Sequence, residues 1–340
     1  MIDKTTLLIL KKNIILASIV LFVPVTFSFA QSSQNSFSIE ASPNTPQAYE
    51  EVILDLNSSS LNLDQATISW FLDGDLRLSG IGETSARFTT GPLGSASLVR
   101  VVVDTSGGGR HIQSISLKPA NVDILWQAHS YTPPFYKGKA LSPSSGLIIL
   151  TAVPQLVDSG GKRLDPQELV YTWQEKGIVL GRASGFGKQS LILENGPVSQ
   201  NPLVVSVTVS SFDESVTASQ TLRVPIYSPT IYFYNKHPLE GILYERVVED
   251  SIALVQDEIT LRAEPFYFSL DDMINGFLRY RWRVNNRDIN VPLSEQGNEI
   301  TLRQEGGEGG ALVSLEVLND NLPFRVLQEA EKMLRLNIGL

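Results

Sequence analysis

Three tryptophans lie in closely similar settings: "ATISWFLDG" at Trp70, "LVYTWQEKG" at Trp173 and "LRYRWRVNN" at Trp282. Their spacings are 103 and 109 residues, close to the ~100 residues of a small β-sandwich. A period of this length implies one unit folded three times, and it constrains the chain more than any bulk property does. Upstream of each tryptophan runs an apolar strand: "EEVILDL", "GLIILTAV" and "DEITLRA". A Leu-Asp pair follows at Leu63-Asp64, Leu164-Asp165 and Leu270-Asp271. Asp165-Pro166 has the chemistry of a helix N-cap followed by a first-turn proline, so a single helical turn is expected there. Another is expected over residues 269–274. Farther on, every second residue is apolar in all three copies: Val99, Val101, Val103; Val205, Val207, Val209; Val313, Leu315, Val317. Period-two alternation describes a strand with one face in a core and one face in water.

Between these strands the first two copies are nearly identical in pattern. "SGIGETSARFTTGP" begins at Ser79 and "SGFGKQSLILENGP" at Ser184. The second lies within "GRASGFGKQS", which has the look of a phosphate-binding loop. A Walker loop requires Gly-x-x-x-x-Gly-Lys-Ser/Thr between a strand and a helix. Here Arg182 occupies the first glycine's place and Gln189 the hydroxyl's, and a strand-like "SLILE" follows. Glu83 takes the lysine's place in the first copy, where its carboxylate would repel phosphate. The glycines read as turn residues.

The unit resembles immunoglobulin-like and PKD-like β-sandwiches. The resemblance is carried by Trp70, Trp173 and Trp282 on a mid-unit strand and by the turns that follow: Asp73-Gly74, Glu175-Lys176-Gly177 and Asn285-Asn286. "SWFLDGD" is similar to the PKD signature but lacks its glycine between the aromatic residue and the aspartate. The immunoglobulin disulfide is missing, because the chain has no cysteine. The resemblance implies an all-β chain of three tandem Ig-like/PKD-like sandwiches and leaves function open, since such sandwiches host many roles. Prolines at Pro119 and Pro229 close one copy before an apolar run opens the next. The expected organisation is residues 1–30 as a signal peptide, then units at 31–119, 120–228 and 229–340. Short junctions with apolar flanks predict a semi-rigid rod.

The signal peptide is read from Lys4, Lys11 and Lys12, then the apolar run "IILASIVLFVPVTFSFA", then Ser28 and Ala30 at the two positions a signal peptidase recognises. Pro24 interrupts a run already shorter than the ~20 residues of a membrane span. The alternative is an uncleaved anchor. The net charge is −9, and cleavage would leave the chain more acidic still. This argues against nucleic acid, whose partners carry clustered Lys and Arg. No later segment is apolar enough to span a bilayer, and "EKMLRLNIGL" at the C-terminus carries no sorting or lipidation motif.

Candidate chemistry is sparse. His111, His129 and His237 fall at non-equivalent places without zinc spacing, and no Gly-x-Ser-x-Gly elbow is present. "VLNDNLPF" resembles the calcium linker of cadherins through Asn319, Asp320, Asn321 and Pro323, although Val317 replaces the first aspartate. Asn and Asp also favour turns on their own account. Two aromatic runs stand out: "SYTPPFYKG" with Tyr131, Phe135 and Tyr136, and "IYFYNKHP" with Tyr232 and Tyr234; Trp126 lies just upstream of the first. They are read as equivalent stretches that begin a strand and pack in the junction, or alternatively as faces for a glycan or peptide. The sequence thus predicts no enzyme and no cofactor. It predicts an exported surface or envelope protein acting as a stalk, adhesion or assembly module, with protein or glycan partners. The alternative is a glycan-binding accessory protein using the junction aromatics.

Overall fold

The computed structural model describes residues 36–158, 160–195, 202–290, 297–304, 306, 308–321 and 328–338. The signal-peptide segment lies outside the described residues. Three separate hydrophobic clusters form the cores. They run from Phe37 to Leu117, from Ala120 to Ile226 and from Ile231 to Ile338.

Each core is sandwiched between two antiparallel sheets of the same layout. In the first unit, Ser38–Ser42, Glu51–Asn57 and Ser85–Thr89 form one sheet. Asp75–Ile81, Thr67–Leu72, Ser97–Asp104 and Arg110–Leu117 form the other, in that order. The second unit repeats this with Asn121–Ala128, Gly146–Gln155 and Ser190–Asn195 facing a sheet built on Val170–Glu175, Leu203–Ser210 and Thr217–Val224. The third pairs Thr230–His237, Glu258–Phe266 and Glu299–Arg303 against Leu278–Val284, Gly309–Asn319 and Glu329–Ile338. The two predicted helical turns form at Pro166–Glu168 and Leu270–Ile274, and a third, not predicted, forms at Leu63–Gln65. Asp165 caps its turn, its side chain accepting from the Gln167 N–H.

Trp70, Trp173 and Trp282 sit at the three centres, at most 1% exposed. The alternating valines and leucines of the neighbouring strand pack beside them, all at 0% exposure. Each tryptophan strand turns back through two residues of positive φ: Asp73-Gly74, Lys176-Gly177 and Asn285-Asn286. Both central residues of a type I′ hairpin need that conformation. Asp73 and Asn285 also accept, through side-chain oxygens, from the N–H of Leu98 and Leu312, pinning the hairpin to the adjacent strand.

The glycine loop has a definite role. Trp70 Nε1 donates to the Glu83 carbonyl at 2.8 Å, Trp173 Nε1 to that of Lys188 at 2.9 Å, and Trp282 Nε1 to that of Gly297 at 2.8 Å. The loop returns to the core and satisfies a buried indole N–H that would otherwise be costly. It uses the backbone of residues 83 and 188, so glutamate and lysine serve equally well. Gly82 and Gly187 have φ of +73° and +67°, and a β-carbon there would meet the Asp64 or Gln167 carbonyl at 3.2 Å. Gly80 and Gly185 pair with Ile68 and Tyr171 as strand residues, so the turn proper is shorter than the sequence pattern suggested.

The third unit departs from the other two. An extra strand, Gly241–Val248, pairs outside Thr230–His237. Ser251–Leu254 then runs parallel to Glu329–Ile338.

Candidate functional site: the junction of the second and third units

On Thr230–His237, Ile231 and Phe233 point into the core, so Tyr232, Tyr234 and Lys236 point the other way. On Glu258–Phe266 the core side holds Ile259, Leu261 and Ala263, which puts Arg262 and Glu264 outside. An outward face should be wet. Yet Glu264 is 0% exposed and Tyr234 3%, because Tyr244 of the third unit and a connection from the second unit cover them.

That connection is the chain between Ala128 and Ser142. The backbone of Tyr131 donates to Phe268, and Leu270 donates to His129, making a short antiparallel contact between units. Tyr131 Oη donates to Glu264 at 2.6 Å, and Tyr244 Oη donates to the other oxygen of the same carboxylate at 3.0 Å. Arg262 Nε completes the shell at 3.1 Å, and Arg262 also donates to Glu299, which Lys236 meets at 2.6 Å. A buried carboxylate is tolerated only with such a set of donors. Burial raises the Glu299 carboxyl, but hydrogen bonds from Lys236 and Arg262 outweigh it and hold the group below its usual range. Burial first, then the charge of and bond to Glu264, pushes the Tyr244 phenol up to about 12; Tyr131 is raised in the same way. The phenols stay protonated and donating.

Phe135 fills the space beside this network, 4.4 Å from the Tyr244 ring centroid and 5.5 Å from that of Tyr234. Tyr136 contacts Phe266, and Phe266 meets Tyr232 edge-on at 5.1 Å. The structure therefore gathers Tyr131, Phe135, Tyr136, Tyr232 and Tyr234 at one junction. Trp126 lies apart, packed on the second core with Lys139 over its ring at 3.4 Å. The two aromatic runs are not equivalent stretches. Residues 231–237 belong to the first strand of their unit, whose counterpart is Asn121–Ala128. "SYTPPFYKG" follows that counterpart and forms the connection that reaches across. Its two consecutive prolines supply no amide N–H for a strand ladder, which suits a connection.

Asn319 ends the strand Gly309–Asn319 and is 5% exposed. Its amide nitrogen donates to Asp272 at 2.7 Å and to Gln328 at 2.9 Å; Asn321 donates to the other Asp272 oxygen at 2.6 Å. Asp320 pairs with Arg279. Asp272 is thus met by amide donors, and among the described residues, which do not include Pro323, the set does not present the converging oxygens a hard cation requires. Gln328, 1% exposed, donates to the Ser145 carbonyl of the second unit at 3.0 Å. The "NDN" stretch thereby supports the same junction from its far side. A cavity of about 1000 Å³ opens beside it, lined by Tyr131, Arg262, Phe277, Tyr280 and Asn298 among others. Arg262, Arg279 and Arg281 on its wall are each paired with carboxylates.

The chain is a tandem array of immunoglobulin-like β-sandwiches. No protein-family model and no curated protein matches it. Solved structures do. The three N-terminal domains of the bacteriophage RB49 highly immunogenic outer capsid protein match over 90% of this chain and 99% of that one, at 14% identity and TM-score 0.26. The central fibronectin-III array of RIM-binding protein matches over 87% and 95%, at 10% identity and TM-score 0.30. A surface glycan-binding protein, SGBP-B of Bacteroides ovatus, in complex with a heptasaccharide, matches over 87% and 64%, at 11% identity and TM-score 0.21. At these scores the architecture rests on the strand pairing above, and nothing about partners is carried over.

Proposed function

We propose that this chain is an exported, non-catalytic surface or envelope component, in which the second and third sandwiches act as one rigid segment of a stalk or assembly module. The burial of Glu264 under Tyr131, Tyr244 and Arg262 supports this reading most strongly. Those groups are committed to holding one unit against the next. Among the described residues no group of three or more His, Cys, Asp or Glu could hold a metal, and no helix is long and apolar enough to cross a membrane. Phe135 and Tyr234 face each other, which favours packing over a glycan contact for those two rings. In the native cell, mass spectrometry should find a mature N-terminus at Gln31, and protease added to intact cells, or to cells with a permeabilised outer envelope, should degrade the protein. Intact Met1 in a soluble cytoplasmic fraction would sink the proposal.

A further inference from the structure

At the rim of the junction, five aromatic residues from both units meet. Tyr136 and Tyr227 come from the second unit, and Tyr232, Phe266 and Tyr267 from the third. Phe266 is the hub: its centroid lies 6.3 Å from Tyr136, 5.1 Å from Tyr232 and 5.9 Å from Tyr267. Tyr267 in turn meets Tyr227 at 5.3 Å. Phe266 is buried, whereas Tyr136, Tyr227 and Tyr267 are half-buried and Tyr232 is 37% exposed. The four phenols are close enough to sense one another. Burial, and after it the Tyr232, Tyr136 and Tyr227 hydroxyls, raises the Tyr267 phenol. Tyr136 donates to the Lys139 carbonyl. The hydroxyls of Tyr227, Tyr232 and Tyr267 have no protein partner among the described residues.

Tyr267 has φ of +63°. A bulky residue in that region is strained, and glycine would be the unstrained choice. The strained backbone is stabilised across the junction network, the Tyr267 carbonyl accepting from Gln328 Nε2. Backbone strain of this kind, kept by a surrounding that over-determines it, is found at binding sites. Here the strained residue carries one of the rim's rings, in contact with Tyr227 and Phe266.

We propose that this tyrosine rim is a binding platform for a neutral glycan chain. A sugar ring offers an apolar C–H face to an aromatic ring and hydroxyls to the phenols around it. The rim supplies both in alternation, and a composite site at a domain interface is a common place for ligands. None of the five side chains is charged, which disfavours an acidic or phosphorylated ligand. A proline-rich peptide would also use the ring faces, but its carbonyls can only accept from the phenols, whereas sugar hydroxyls both accept and donate, as the phenols do. The platform depends on the fused junction, because neither unit alone carries all five rings.

The full mature chain should be applied to an array of neutral and acidic oligosaccharides together with proline-rich peptides, and hits measured by calorimetry. Neutral oligosaccharides should be retained. Tyr232→Ala and Tyr267→Gly should each weaken the best hit by about tenfold or more, one lost stacking contact. Tyr267→Gly removes the strain along with the ring, so its Tm should stay within about 2 °C of wild type. Retention of peptides or acidic glycans alone, no retention, or undiminished binding in Tyr232→Ala would each overturn the platform. So would a Tyr267→Gly protein that melts lower yet binds as well, since Tyr267 would then be structural. A failed array leaves the stalk reading standing, because that reading is tested separately, by the mature N-terminus, protease access and inter-unit distances.

Discussion

The two junctions join the same kind of module in different ways. Between the first and second units the inter-unit bonds are few and polar. Thr45 Oγ1 meets Ser219 Oγ at 2.5 Å, the Ala120 N–H reaches the Pro46 carbonyl at 3.1 Å, and Lys118 Nζ donates to the Ser215 carbonyl at 3.1 Å. No aromatic pair among the described residues crosses it. Between the second and third units, a connection from one covers the outer sheet of the other. It buries a carboxylate with three donors, interlocks aromatic rings and adds Gln328 as a second tie. Exposed polar contacts contribute little net stability, whereas a satisfied buried network with aromatic packing is costly to open. The proline-marked boundaries look alike in sequence. What differs is whether the connection after the first strand is long and aromatic enough to reach the next unit.

The largest effect should come from Trp173→Ala, at ~3–5 kcal/mol. Hydrogen exchange on the full chain should lose protection throughout the second unit and also in Thr230–His237 and Glu258–Phe266, which lose their cover. Protection of the first unit should be unchanged; a loss there would mean that both junctions couple. Glu264→Ala should follow, at ~3 kcal/mol, since it leaves Tyr131, Tyr244 and Arg262 without their shared acceptor. Denaturant unfolding should show that loss only in the second and third units.

Alkaline pH sharpens the contrast. Tyr171 and Tyr244 are both pushed up to about 12 from an ordinary value of 10, mainly by burial. The folded state therefore holds these protons more tightly than the unfolded one. Their contribution is complete below pH 10 and is lost as pH rises from 10 to 12. The one tyrosine of the first unit, Tyr49, is 71% exposed, so that unit should persist after the other two weaken. Gly187→Val should cost about 1–2 kcal/mol within the second unit, because its φ is +67° and the Gln167 carbonyl is close. Lys118→Ala at the thin junction should change stability by less than about 0.5 kcal/mol.

Much of the fold was legible because it is local. The alternation at Val99 to Val103 and its repeats, the positive-φ pairs after each tryptophan and the cap at Asp165 are all written in short windows. The role of residues 83 and 188 was half legible: the mismatch of glutamate with lysine showed that the side chain does not matter, but only the fold shows the carbonyl on the indole. The junction was least legible. The strand pattern does place Glu264 and Tyr234 on an outward face, yet their burial depends on Tyr131, 133 residues before Glu264, and Phe135, 99 before Tyr234. One clue was available: "IYFYNKH" is aromatic on both faces, as a strand covered on both sides should be. Asn319 read as turn or calcium chemistry because its partners, Asp272 and Gln328, are set by the fold.

The direct test uses the lack of cysteine, which lets spin labels be placed singly at will. Pairs at Ser114 and Thr221 would span the first junction, and pairs at Thr221 and Thr301 the second; all three sites are exposed. Distances from pulsed electron resonance should be narrowly distributed across the second junction and broad across the first, and Glu264→Ala should broaden the second alone. Equal widths at both junctions, or a second junction indifferent to Glu264, would contradict the account.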